Sequence, residues 1–415
     1  MNHKTKDYYE RKIVFISGTL KNGGVARRIS VISNELAKNG FHVTFLLTQG
    51  IDKDVYFNYH KNVSLISLPE YIKQTEKSDK VKHNLRKSLK KIKRLKYSEM
   101  TIKKFSSESA KKMYFKRKYM KSSLDLRTFF INHPGSIIIP FGIEYYMNCF
   151  FASRGLDCKI IYSERVAPQT ESCDSALENF RKEILSKTDF AVFQTEDERK
   201  FYDEWLNGKS EVIPNPVSSE LPERYAGERK HEIVNFCRIA EQKNLKLLID
   251  AFMKISPQYP DYKLLIYGNT VLPNEEELHK QLTEYIKDSG FEDKAFILPA
   301  RADIHDAVLS SAMFVCSSDF EGISNSMLEA LSIGMPCICT DCLGGGAREF
   351  IHNEENGLLV PMKDVNALAK AMKKFIDNPD FAEKCSVQAA KTKELLSAEN
   401  IGQLWMEAIK KGCEN

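Results

Sequence analysis

The sequence predicts an α/β protein built from two doubly wound domains, and three observations carry that expectation. A chain of 415 residues exceeds one typical core. Residues 12–47 run strand, glycine loop, helix, strand, the βαβ opening of a parallel sheet. The stretch from Ala312 to Gly346 repeats that alternation: a short apolar run ending at Ser317, a polar loop, then a helix stopped by Gly334 and Pro336.

Composition narrows the class. Hydrophobic residues make up 42% and charged residues 28%, ordinary for a globular protein. No run of about 18 apolar residues is present, and nothing apolar precedes Ile13, so neither a membrane span nor a secretory signal is expected and the chain is placed in the cytoplasm. The ten cysteines are irregularly spaced and read as reduced thiols. Cys337, Cys339 and Cys342 lie close together, but Cys337 and Cys339 alternate on one strand face and no fourth ligand lies nearby. Small buried core residues fit them better than a zinc site.

Taken in order, the first element is an apolar strand at Lys12 to Ile16, leading into a loop with Gly23 and Gly24. Paired glycines let backbone amides approach a ligand, since no Cβ intervenes. A helix with Ile29, Ile32 and Leu36 at helical spacing follows, ends at Asn39-Gly40, and gives way to a strand from His42 to Leu47. Asp52-Lys53-Asp54 has the spacing of a metal-holding pair but reads as a solvated turn.

Residues 80–121 hold 17 Lys and Arg against Glu99 and Glu108, a surplus of +15 in a chain of total +5, so the remainder carries −10. Val81, Leu85, Leu89, Ile92 and Leu95 form one helical stripe, and Ile102, Phe105, Met113, Tyr114 and Tyr119 a looser second one. The pattern suits a helix in the headgroup layer of an anionic membrane. A lid or helical hairpin packed on the first domain is the alternative, and nucleic-acid binding is disfavoured because no recognition motif accompanies the charge.

Further buried strands are expected at Ser136 to Ile139, Lys159 to Tyr162 and Ala191 to Gln194, then a helix from Glu196 to Leu206. A proline-stiffened link spans 207–227, around Pro214-Asn215-Pro216. The second half continues with a strand at Ile233 to Cys237, a helix at Leu245 to Ile255, a strand at Tyr262 to Tyr267 before Gly268, and strands at Phe296 to Leu298, Ala312 to Ser317 and Cys337 to Thr340. Ser324 or Ser326 can cap the helix after Ser317, the latter with Glu329 in a capping box. That helix start, at the carboxyl end of a strand, is where an open α/β sheet holds phosphates. Glu321 and Glu329 bracket it and can serve opposite ends of a sugar nucleotide, one near the sugar and one accepting from ribose hydroxyls.

Glu321, seven residues, Glu329, then Ala330-Leu331, Gly334, Pro336, Gly344-Gly345-Gly346 and Glu349 resemble the signature of the retaining glycosyltransferases of family 4. The resemblance covers roughly residues 12–50 and 190–380. It implies the GT-B fold, two Rossmann-like domains facing across a cleft. The expected division is an acceptor-side domain at 1–207 with the basic insert, a nucleotide-sugar-binding domain at 208–394, and a helix in 395–415 packing back on the first.

The implied activity is transfer, with retention, of a hexose or N-acetylhexosamine from a nucleotide-diphosphate sugar, such as a UDP-sugar, to an acceptor hydroxyl. Arg238 and Lys243 match the family's pair on the donor diphosphate, and with Glu321 they form the expected catalytic set. Donor contacts are expected from Gly23, Gly24, Glu329, Ser324, Asn325, Ser326 and Gly268. Arg165, in a Ser-Glu-Arg loop where many relatives have a histidine, is a candidate acceptor or sugar contact. No metal or other cofactor is expected, because two fixed cations can stabilise the leaving diphosphate. The acceptor is expected to be a lipid-linked glycan or cell-surface polymer at the inner membrane face, met through residues 80–121, with no nucleic-acid partner. Two rival readings are a nucleotide-sugar 2-epimerase of the same fold and a non-enzymatic polyanion-binding protein.

Overall fold

The computed structural model describes residues 11–20, 24–51, 58–78, 108–164 and 175–414. Asp52-Lys53-Asp54, Gly23, Arg165 and most of the basic stretch, including its Val81 to Leu95 stripe, lie outside the described residues.

The chain forms two parallel sheets. The first comprises β1 (Ile13–Ser17), β2 (Val43–Leu47), β3 (Val63–Ser67), β4 (Ser136–Pro140), β5 (Cys158–Ser163), β6 (Phe190–Phe193) and β7 (Ser210–Val212), in the order β3-β2-β1-β4-β5-β6-β7. The second comprises β8 (Lys230–Phe236), β9 (Lys263–Tyr267), β10 (Ala295–Leu298), β11 (Ser311–Cys316), β12 (Cys337–Thr340) and β13 (Leu358–Val360), in the order β10-β9-β8-β11-β12-β13. In each sheet the order reverses once, between β1 and β4 and between β8 and β11, and ligands of such sheets bind at the strand ends beside that reversal. β7 belongs to the first sheet although it follows residue 207, because it pairs with β6 through Ala191, Val192 and Phe193. The link between domains therefore starts at Ile213.

Helices cover both faces of each sheet, which is why strands such as β1, β2 and β4 are nearly continuous apolar runs. The helix Gly24–Lys38 packs Ile29, Ile32 and Leu36 inward. The final helix, Ala398–Glu414, returns to the first domain and lies on that helix and on β5 and β6. It buries Ile401, Trp405, Ala408 and Ile409, and Trp405 meets the edge of Phe15 at 6.4 Å. Gly402 is required by closeness, since a Cβ there would stand 2.3 Å from Glu35 Cγ.

The described part of the basic segment is the helix Glu108–Ser122. Phe115 and Tyr119, four residues apart, are buried against Phe180 and Phe151 of the first domain. Of the expected stripe, Tyr114 and Tyr119 face inward, but Met113 is 52% exposed and lies with Met120, Lys116, Arg117 and Lys121 on the outer face, while Phe115 takes the inward place. This portion packs on the first domain and presents a basic outer face. No described helix is long and apolar enough to cross a membrane.

Candidate active site

The candidate site lies at the reversal point of the second sheet. β8 ends at Phe236 and the loop after it carries Arg238 and Lys243, the latter in a single turn, Glu241–Lys243. Asn244 adopts φ 42° and caps the following helix by accepting from Leu247 N, which fixes the end of the loop. β11 ends at Cys316, and its loop carries Glu321 to the same crevice. Lys243 Nζ forms an ion pair with Glu321 Oε1, and Glu321 also accepts from Ser318 Oγ at 2.9 Å and Gln242 Nε2 at 3.0 Å. Two expected catalytic residues, 78 positions apart, are therefore in contact. Burial acts to lower the Lys243 pKa, but the Glu321 carboxylate outweighs it and holds the ammonium charged, above its ordinary value.

Arg238 is half-exposed and pairs with Glu275 at 3.2 Å, so it stands apart from the Lys243–Glu321 pair at the mouth of the crevice. Gly268 has a structural reason to be glycine: a Cβ there would lie 2.2 Å from the Cys237 carbonyl oxygen. Likewise a Cβ on Gly346 would lie 2.2 Å from the Gly322 carbonyl oxygen. The triple-glycine stretch thus packs closely against the Glu321 loop, and Glu321 N donates to the Leu343 carbonyl oxygen at 2.9 Å.

The helix Asn325–Ser332 begins where expected, and Ser324 is its N-cap, accepting from Met327 N at 3.4 Å. Ser326 is therefore inside the helix and the capping box with Glu329 is not made. Glu329 is instead engaged on both oxygens: Oε1 receives Arg28 from the first domain, and Oε2 lies 3.0 Å from His305 Nε2. Burial alone would raise its pKa; the His305 hydrogen bond and the Arg28 and Arg27 charges bring it down to about 2. Asn325 Oδ1 receives Arg28 Nε and Asn215 Nδ2, each at 3.0 Å.

Of the first-domain candidates, Gly24 opens the helix Gly24–Lys38, four residues before Arg28. Glu164, beside Arg165, is buried and accepts from the Tyr162 and Tyr202 hydroxyls. Sequence reasoning missed Arg28 as a cross-domain contact, along with His305 and Gln242. Arg28 stood beside the glycine pair, but nothing in the sequence indicated its partners. Cys337, Cys339 and Cys342 are buried core residues, and no group of three potential metal ligands occurs among the described residues.

Comparison with known proteins bears directly on this crevice. Residues 220–392 match the model of the family Glycosyl transferases group 1. Those residues, less than half of the chain, are similar to that family. An uncharacterized glycosyltransferase of Methanocaldococcus jannaschii is 31% identical over 189 residues, 42% of this chain and 45% of that protein. The N-acetylgalactosamine-N,N'-diacetylbacillosaminyl-diphospho-undecaprenol 4-alpha-N-acetylgalactosaminyltransferase of Campylobacter jejuni is 30% identical over 189 residues, 45% of this chain and 49% of that protein. The chain therefore spans about half the length of these curated relatives in its matches. The fold likeness is wider: the structure of a mutant of S. aureus TarM in complex with fondaparinux, alpha-GlcNAc-glycerol and UDP aligns with 96% of this chain and 100% of that chain, at TM-score 0.69 and 15% identity. The architecture is GT-B, and Arg238, Lys243, Glu321 and Glu329 all lie in the region that resembles the family.

Proposed function

We propose that the protein is a retaining glycosyltransferase that moves a hexose or N-acetylhexosamine from a nucleotide-diphosphate sugar, in the first instance a UDP-sugar, to an acceptor hydroxyl. The observation that carries this reading is the Lys243–Glu321 pair at the reversal point of the second sheet, with Arg238 on the same loop as Lys243. The bond from the anomeric carbon to the diphosphate oxygen breaks, the acceptor oxygen bonds to that carbon on the same face, and its proton passes to the departing diphosphate. Charge accumulates on the diphosphate, where Lys243 and Arg238 stabilise it. Glu321 orients the sugar hydroxyls and offsets the positive charge developing on the ring, and Glu329 accepts from the ribose. Two side-chain cations supply the neutralisation a divalent metal gives elsewhere, so we propose turnover without metal.

The acceptor we propose is a lipid-linked glycan or cell-surface polymer at the inner face of the membrane. The undecaprenol-linked substrate in the Campylobacter relative's name and the UDP and glycerol-linked sugar in the TarM complex support donor and acceptor classes of this kind. Lys116, Arg117 and Lys121, exposed beside Met113 and Met120, support docking on an anionic surface, each cation near it adding about 1 kcal/mol.

Two measurements test the reading. A panel of UDP-, GDP- and ADP-sugars with EDTA present should give binding and slow hydrolysis of one donor, and absence of both for every donor would sink the enzyme proposal. Sedimentation with phosphatidylglycerol vesicles should exceed that with phosphatidylcholine vesicles and fall when Lys116 and Arg117 are changed to Glu. Equal binding to both vesicle types would rule out electrostatic docking.

A further inference from the structure

We infer that Arg28 is a positioning residue that completes the ribose site of the second domain only when the two domains are closed. The inference rests on the donor reading above. Arg28 is 3% exposed, and its described side-chain hydrogen bonds all leave its own domain. Nε donates to Asn325 Oδ1 at 3.0 Å, Nη1 to the Pro216 carbonyl oxygen at 2.8 Å, and Nη2 to Glu329 Oε1. The link between domains, the helix Asn325–Ser332 and the helix Gly24–Lys38 therefore meet on one guanidinium. Its donors form a rigid fork, so all three bonds are made together only at one relative placement of the domains.

The same contact does not exhaust the hydrogen-bonding capacity of Glu329. An ionised carboxylate offers about four acceptor sites. Arg28 occupies one on Oε1 and His305 one on Oε2 of Glu329. One acceptor site per oxygen remains unbonded, although the Arg27 guanidinium stands 3.9 Å from Oε1, and two such sites match the two hydroxyls of a ribose. Closure thus orients the carboxylate from both domains without filling it.

The consequence separates binding from chemistry. Apparent affinity for a ligand is reduced by the fraction of molecules that are competent to bind it. Without Arg28 the closed fraction falls and donor binds more weakly, while saturating donor restores closure and turnover. A purely structural role would instead lower the active fraction and the melting temperature, with KM unchanged.

The test is calorimetric titration of the full chain with UDP, GDP and ADP, followed by turnover with the matching donor. Arg28→Met should weaken binding of the preferred nucleoside diphosphate at least about tenfold and raise donor KM in parallel, with kcat changed by less than about threefold. Arg28→Lys should recover part of the affinity. Arg28→Gln serves the same comparison if Arg28→Met does not fold. Wild-type affinity and KM in these variants would overturn the inference and leave the donor reading standing. No affinity of the wild-type chain for any of the three would overturn both.

Discussion

The two sheets share one strand order through their first six strands, yet the crevices at their reversal points hold opposite contents. Beside β8 and β11 stand Arg238, Lys243 and Glu321, charged groups held by short loops. On the face of the first sheet, beneath its reversal between β1 and β4, stands a buried aromatic cluster, Phe15, Phe45 and Phe141, covered by Trp405 of the returning helix. Identical topology offers the same place twice. What fills it differs: charged side chains line the second place, and an apolar core lies beneath the first.

If that division is right, damage to the first crevice should appear in stability and damage to the second in turnover. The largest effect is expected at Trp405, fully buried between the last helix and β1. Trp405→Ala should lower the unfolding free energy by about 3–5 kcal/mol, read from the denaturant midpoint. A loss under about 1 kcal/mol would mean that the returning helix does not secure that core.

The domain boundary carries a pH signature. Glu329 is held at about 2 in the folded protein against 4.5 for a free carboxyl. A depressed carboxylate pKa contributes stability that is full above 4.5 and is lost as pH falls through about 2. The expected loss is on the order of 3 kcal/mol across that window, and Glu329→Gln should flatten this part of the acid titration. An acid limb identical in the variant would place the titrating group elsewhere.

In the charged crevice, Lys243→Ala and Glu321→Ala should each lower turnover at least about 100-fold, near 2.7 kcal/mol of lost electrostatic stabilisation, with the protein still folded. Because the two side chains touch, the double variant should lose much less than the product of the single losses. Near-normal turnover in either single variant would remove the role given to that residue.

How far the sequence reveals this differs by region for physical reasons. The second sheet is legible because its turns are punctuated: Ser324, Gly334 and Pro336 mark the ends of a helix, and the glycines answer to backbone contacts a Cβ would block. β3 was not anticipated, because Val63–Ser67 is a partly exposed edge strand with polar interruptions. Nothing in the local sequence around Arg28 names its partners, 188 and 301 residues away. His305 is a lone histidine until Glu329 stands against it. Local chemistry can be read from spacing, whereas a contact made by domain closure has no sequence period to announce it.

The smallest expected effect refines the charged side of the comparison. Ser324 satisfies one amide of the helix Asn325–Ser332 through Met327 N and sits at the end of the loop that holds Glu321. Its removal should cost about 1 kcal/mol, as for other N-caps, measured by thermal or denaturant unfolding. Ser324→Gly should cost less than Ser324→Ala, since glycine is itself a favoured N-cap residue. If Ser324→Ala also lowers donor affinity while Ser324→Gly does not, the cap's contribution is to the placement of the helix start. If both lower it equally, the hydroxyl itself contacts the donor, and Ser324 joins Lys243 and Glu321 among the groups that handle the nucleotide sugar directly.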